Sequence, residues 1–238
     1  MALFVDIEGA FDHIWWPAIV KRTTDANCSS HIVGIVKKYF KRRKVFIENN
    51  SRKYMRKMEK RCPQGSILGP SACVWCMDAL LKDLEMDIPE EQVEITAYAD
   101  DLACVVKGDT RIEITKNATK AIEIISKWCR LHHLKISGSK TVTMLMKGNL
   151  NEKHLPTFKI DRVNVKYVEK TKYLGVVIDR KMNFIAHARY LKAKVSQFVF
   201  SIRRIAAEKW GIKPNILKIL YSAVPLPITR YGVVLWYK

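Results

Sequence analysis

Two adjacent carboxylates, Asp100 and Asp101, sit inside an apolar, β-prone stretch at residues 97–106, AYADDLACVV. Ile95 and Tyr98 precede them and Leu102, Val105 and Val106 follow. That pattern predicts strand, tight turn, strand. Like charges so close repel, and burial penalises each one further. Such a pair is tolerated where a cation lies between the charges. A hard divalent ion such as Mg²⁺ takes one or two carboxylates together with substrate phosphates. By itself the pair fits a polar hairpin turn equally well, since Asp is common in turns. A third acid, Asp6, ends the run ALFVDI at residues 2–7, which predicts a buried strand. If that strand pairs beside the hairpin, three carboxylates converge, and such a group can hold two divalent ions about 3.5–4 Å apart. Phosphoryl transfer asks for that positioning and charge neutralisation.

The chain of 238 residues is long enough for one large domain, or one domain and an appendage, and its 48% hydrophobic content supports a core. Lys and Arg number 42 against 23 acids, a formal net charge of +19. Such an excess points to a polyanionic partner. No apolar run reaches the roughly 18–20 residues that cross a bilayer, so no membrane partner is expected. Cys73 and Cys76 form a CxxC without a second pair at zinc-finger spacing, which reads as core packing.

The elements around the acids follow from turn and cap residues. Pro17 suits the first turn of a helix running to about Asn27, and Ser29 or Ser30 caps the next. In that second helix Ile32, Ile35, Val36, Tyr39 and Phe40 share one side. From Lys37 to Arg61 twelve Lys or Arg face only Glu48 and Glu59. A hairpin turning at Asn49–Asn50 lies within this basic run and carries Phe46 and Tyr54, which favours phosphate contact over a merely solvated face. Pro63, Gln64, Gly65 and Gly69 form an irregular loop that a ligand can approach closely. Pro70 is expected to open a helix with Val74, Met77, Leu80, Leu81 and Leu84 inward. A long helix, about Arg111 to His132, turns Ile114, Ala118, Ala121, Ile122, Ile125 and Trp128 inward. Residues 134–146 read as a turn into a strand, with Lys140 at its mouth. Residues 158–168 read as a hairpin turning near Asp161–Arg162, and residues 172–179 as a strand with Gly175 inside it. From about Asn183 helices take over, with Ala188, Leu191, Val195, Phe198, Val199 and Ile202 as one stripe. A boundary is expected near residue 180.

Taken in order, DIEGAFD, CPQGSILGP, YADD, LKISGSKT and KYLG resemble the reverse transcriptases of non-long-terminal-repeat (LINE-type, jockey-like) retrotransposons. The ending LYSAVPLPITRYGVVLWY resembles the segment that follows this domain in such elements. The resemblance covers almost the whole chain. It implies an α+β right-hand polymerase, with an antiparallel palm sheet and packed helices over residues 1–180 and a helical thumb over 181–238. It implies Asp6, Asp100 and Asp101 as ligands of Mg²⁺, or of Mn²⁺ in its place. Phe11 matches the bulky residue that excludes a ribose 2′-hydroxyl. Pro63, Gln64 and Gly65 match the loop lining the incoming nucleotide and template. Lys140 matches the lysine that protonates the leaving pyrophosphate, and Tyr173, Leu174 and Gly175 match the primer grip. RNA template, DNA primer and deoxynucleoside triphosphates are the implied partners, and the nucleus the implied site of work.

Two departures stand out. The family places Asn before the motif lysine where Ser137 stands here. The family's fingers and endonuclease lie upstream of the first acid, so the chain is expected to be an N-terminally truncated part of a larger polyprotein. The competing reading is a catalytically dead, nucleic-acid-binding remnant. Another palm enzyme, a nucleotidyl cyclase or an RNA-templated RNA polymerase, would share the carboxylates, but Phe11 and the Pro63–Gly65 loop argue against it.

Overall fold

The structure is a computed structural model that describes residues 1–9, 13–49, 52–58, 60–61, 65–146, 155–160, 163–205 and 211–237. In chain order it runs β1 (Ala2–Asp6), α1 (Trp16–Asp25), α2 (Ser30–Phe40), β2 (Lys44–Asn49), β3 (Arg52–Lys57) and α3 (Leu68–Asp87). There follow β4 (Val93–Tyr98), β5 (Asp101–Val106), α4 (Arg111–Leu131), β6 (Val142–Met144), β7 (Lys159–Ile160), β8 (Val163–Asn164) and β9 (Lys166–Tyr167). The last elements are β10 (Lys170–Tyr173), β11 (Val176–Asp179), α5 (Ile185–Ile205), α6 (Pro214–Ala223), α7 (Pro225–Arg230) and α8 (Val233–Trp236).

Two compact units divide the chain. The first is Met1–Thr143 with Asn149–Tyr167, and the second is Met144–Gly148 with Val168–Lys238. The texture change near residue 180 lies inside the second unit. The mixed α+β architecture expected from the sequence is present.

The first unit is organised by a sheet of order β4-β5-β1-β6-β9. β1 runs antiparallel to β5, and β5 to β4, whereas β9 is parallel to β6. Side chains alternate between the faces of a strand. Leu3 and Val5 of β1 and Leu102, Cys104 and Val106 of β5 are buried together on one face, under α3 and α4. Their alternates, including Asp6 and Asp101, therefore point to the other face. This period-2 burial fixes the register, because a slip of one residue would send the apolar set to solvent.

The helices cover the buried face through residues at helical spacing. In α4 Ile114, Ala118, Ala121, Ile122, Ile125 and Trp128 are all buried, as expected. Thr110 and Glu113 form a reciprocal capping box that starts this helix. In α3 the buried face is Ala72, Cys73, Cys76, Met77, Leu80 and Leu84. Val74, expected inward, is 56% exposed, because the small residues and both cysteines let the helix approach its neighbours on the adjacent stripe. The CxxC is thus core packing. The helix also begins at Leu68 rather than Pro70, since the Ser66 hydroxyl accepts the Gly69 N–H at 3.0 Å and Pro70 needs no donor in the first turn. In α2 only Val36 and Phe40 are buried, whereas Ile32 and Ile35 are exposed. The apolar side there is wider than the surface that receives it. Among the described residues, no helix is long and apolar enough to cross a membrane.

The second unit begins with the β10–β11 hairpin, followed by α5 to α8. Residues 172–179, expected as one strand, fold back on themselves. Leu174 and Gly175 both have positive φ, 45° and 85°, and form the two-residue turn between the strands. That backbone is the one two-residue hairpins favour. The close approach expected at Gly175 exists, but its partner is the Tyr231 ring: a Cβ on Gly175 would lie 2.9 Å from Tyr231 Cε1. The inward side of α5 also differs from expectation. His187 and Leu191 are buried, whereas Ala188 and Val199 are exposed. The Val177 N–H donates to His187 Nδ1 at 3.2 Å, and burial lowers the pKa of this imidazole. Hydropathy patterning does not count His as core, which is why the stripe came out rotated.

Candidate active site

The β4–β5 hairpin and the end of β1 bring the acids to one end of the sheet. Asp6 stands directly opposite Asp101, and Asp101 directly opposite Tyr98. Opposed residues on antiparallel strands have Cβ atoms about 4.5–5.5 Å apart and share a face. Asp6, Asp101 and Tyr98 therefore line up across three strands on the open face. Tyr98 is 66% exposed. Asp100 occupies the turn itself. Its neighbour Ala99 has φ 55°, a conformation that costs an L-residue about 1–2 kcal/mol. Strain of this kind persists where the surroundings over-determine it, often at functional sites.

Two like charges facing each other across a ladder are destabilising. Asp101 reflects this. Its pKa is raised, first by burial and then by the charges of Asp100 and Asp6. Asp6 has a counter-charge: Lys140 Nζ lies 3.5 Å from its Oδ2. That same Oδ2 is screened from solvent and accepts no hydrogen bond.

A tight turn holds Lys140 and Asp6 together. The Ser137 N–H donates to the Asp6 carbonyl at 2.8 Å, and Ser137 in turn accepts the Lys140 and Thr141 N–H groups at 3.2 and 2.8 Å. The Thr141 hydroxyl accepts the Asp6 N–H at 3.4 Å, and the Thr143 hydroxyl donates to the Ala2 carbonyl at 3.0 Å. Ser137, at the position where the resembled pattern has Asn, is buried and lies 3.4 Å from the Ser139 hydroxyl. Thr141 holds the backbone of the first acid, and Thr143 holds the start of the same strand. Nothing in their spacing marks them, since they look like ordinary strand threonines. Thr141→Val is expected to cost about 1 kcal/mol, the worth of one buried hydrogen bond, by urea denaturation of the 238-residue chain.

Among the described residues, no group of three or more His, Cys, Asp or Glu side chains is placed to hold a metal ion. The donor set nevertheless fits a hard divalent ion completed by outside oxygens. Asp6 Oδ2 is a buried acceptor without a hydrogen bond, and Asp101 is a carboxylate burdened by two like charges. Mg²⁺ takes few protein ligands and several from substrate or water.

The other expected residues fall as follows. Gly65 has φ 77° and open space around its missing side chain. Phe11, Pro63 and Gln64 lie outside the described residues. In the second unit Tyr173 ends β10, and Leu174–Gly175 make the turn. The Leu174 carbonyl accepts the Tyr231 hydroxyl at 2.8 Å.

The family described as "Reverse transcriptase (RNA-dependent DNA polymerase)" matches residues 1–178. A 115 kDa protein in the type-1 retrotransposable element R1DM of Drosophila melanogaster is 31% identical over 237 residues, covering 100% of this chain and 22% of that protein. A retrovirus-related Pol polyprotein from type-1 retrotransposable element R1 of Bradysia coprophila is 27% identical, with 100% of this chain and 23% of that protein covered. The RNA-directed DNA polymerase from mobile element jockey of Drosophila funebris is 25% identical over 97% of this chain and 25% of its own length. The chain thus spans about a quarter or less of these relatives. Among solved structures, apo telomerase from Candida tropicalis superposes with a TM-score of 0.56 at 10% identity, over 75% of this chain and 31% of that one. That likeness is one of fold. The chain belongs to the reverse transcriptase family, in the branch carried by non-long-terminal-repeat retrotransposons of the R1 and jockey kind.

Proposed function

We propose that this chain is the palm and thumb portion of an RNA-directed DNA polymerase, extending a DNA primer with deoxynucleoside triphosphates on an RNA template. The observation that carries the reading is Asp6 facing Asp101 across the ladder, with Lys140 held beside Asp6. Residues 1–180 would form the palm and 181–238 the thumb. The working protein would be a larger polyprotein with fingers and an endonuclease, acting in the nucleus.

Asp6, Asp100 and Asp101 would hold Mg²⁺, or Mn²⁺ in its place. When bound, the metal would activate the primer 3′-hydroxyl and neutralise the triphosphate. The carboxylates orient the reacting groups, and the strand ladder keeps them from moving apart. Lys140 holds a proton at Nζ at the edge of this group, available to the departing pyrophosphate. Pro63, Gln64 and Gly65 would line the nucleotide and template, and Tyr173, Leu174 and Gly175 would grip the primer. Phe11 would exclude a 2′-hydroxyl by its bulk.

The test is extension of a primed RNA template by the purified chain. Phe11→Ala should raise ribonucleotide incorporation relative to deoxynucleotide by about tenfold or more, the size of discrimination a shaped pocket supplies. An unchanged ratio sinks the gate assignment. The net charge of +19 favours a second reading, a nucleic-acid-binding remnant. That reading predicts salt-sensitive binding without metal-dependent extension. Restored synthesis after joining the upstream portion of a longer reading frame would exclude it.

A further inference from the structure

Three helices of the first unit, α1, α3 and the end of α4, enclose a cavity of about 630 Å³. That size lies within the roughly 300–1,000 Å³ of small-ligand sites. Each helix lines it with residues at helical spacing: Ala18 and Asp25 from α1, Ala79 and Asp83 from α3, Trp128 from α4 with His132 just after it. Alanine on two facing helices leaves the space that larger side chains would fill. None of these residues belongs to the proposed polymerase site.

The protein itself holds the aromatic wall in place. His132 stacks on Trp128, with 4.2 Å between ring centroids and 24° between planes. Its Nδ1–H donates to the Trp128 carbonyl at 2.9 Å, which fixes the tilt of the imidazole. Trp15, just before α1, also lines the cavity and meets the His133 ring edge-on at 5.2 Å. Its backbone bridges Lys60 as an antiparallel pair.

The charges around these rings are unbalanced. Arg22 lines the cavity but is taken by Asp78 at 2.8 Å, where Lys82 joins it at 3.0 Å. Asp25 and Asp83 make no ion pair among the described residues, and neither does Lys21 at the same cavity. Two carboxylates are thus left against one ammonium, in a chain whose net charge is +19.

An anion would meet both acids, and a neutral ligand would leave them unused. A cation uses the acids and the ring faces together. A bare ammonium gives up strong hydration on entering such a site, whereas an alkylated one is weakly hydrated and packs on rings. We infer that this cavity binds an alkylated ammonium of the trimethylammonium kind, with Trp15, Trp128 and His132 around its methyl groups and Asp25 and Asp83 balancing its charge. Free quaternary amines and trimethylated lysine side chains both carry that group. The site does not depend on the polymerase reading.

The experiment is isothermal titration calorimetry on the 238-residue chain. The probes are choline, its uncharged carbon isostere dimethylbutanol, and a short peptide carrying either lysine or trimethyl-lysine. Choline should bind about fivefold or more tightly than dimethylbutanol, or the trimethyl-lysine peptide than the plain one. The cation with the larger preference names the source, and either supports the site. Asp83→Asn and Asp25→Asn should each weaken binding about threefold or more, whereas Lys21→Gln should tighten it about twofold. Because Asp83 has no ion-pair partner to lose, Asp83→Asn should keep the wild-type thermal midpoint, which separates lost binding from lost folding. Equal binding of each charged or methylated probe and its counterpart overturns the inference. So do no binding at all, an unchanged affinity in both Asp variants, or reversed signs in the Asp and Lys variants, which would mark an anion site.

Discussion

Asp101→Asn is expected to abolish primer extension and, at the same time, to make the protein harder to unfold. The loss should exceed about 100-fold, since under the proposed assignment the substitution removes a charge that would hold the metal. Asp100→Ala should lose extension as well. The gain in stability has a separate cause. Asp101 faces Asp6 and adjoins Asp100, and its pKa is raised by burial first and by those charges next. A native carboxyl whose pKa is raised binds more protons than the unfolded chain does in the acidic window. Stability therefore falls as pH rises from the unfolded value through the raised one, and the penalty persists at neutral pH. Asparagine carries no such penalty. Relief of a directly opposed like-charge pair is worth about 0.2–1 kcal/mol, or at most about 4 °C in a unit of this size. Urea midpoints of wild type and Asp101→Asn measured from acid to neutral pH should diverge across the acidic window. Coincident curves would mean the two acids do not feel each other. Added Mg²⁺ should stabilise wild type and leave the variant almost unmoved, since a ligand stabilises only the state that binds it.

Gly175→Val should be among the most damaging single changes in the second unit. Gly175 has φ 85°, and an added Cβ would meet Tyr231 Cε1 at 2.9 Å. Positive φ costs a side chain about 1–2 kcal/mol, and forced overlap in a packed site about 1–3 kcal/mol more. A total of about 2–5 kcal/mol is expected from thermal or urea unfolding. The two costs separate in a double-mutant cycle. In a Tyr231→Ala background, Gly175→Ala should retain only the backbone cost. An undiminished cost there would show that Tyr231 is not the obstacle. Because Tyr231 also donates to the Leu174 carbonyl at 2.8 Å, this turn and the segment around Tyr231 are expected to fail together.

Where the sequence was legible, one pattern had one physical reading. The run at residues 2–7 and the acid-bearing hairpin could be placed because apolar alternation and a turn rich in Asp leave little else. The α4 face was legible because its stripe is bounded by charged residues on both sides. Other positions carried signals that compete. Ile32, Ile35 and Val74 satisfy helical periodicity, but periodicity identifies a stripe, not how much of it a neighbour covers. The Leu174–Gly175 turn was concealed because leucine seldom takes positive φ, so an apolar residue before glycine looked like strand interior. His187 was passed over as a polar residue, although its ring packs with Tyr190 and Trp236 at 6.2 and 5.6 Å. At the site, the acids and Lys140 were legible as types and spacings. The hydroxyls of Thr141 and Thr143 were not, since their value lies in carbonyl and amide partners from residues far upstream.

The position of β1 has a consequence for how the protein is made. It precedes both of its neighbours in the chain yet lies between β5 and β6, so neither partner exists when it leaves the ribosome. At about 5–20 residues per second, its first partner follows only about 5–20 s later. Throughout that delay an apolar, β-prone segment has both edges unpaired, the state most exposed to wrong pairing. A newborn chain should depend on a holding chaperone in just this interval, and slowing translation after β1 should lower the yield of soluble protein.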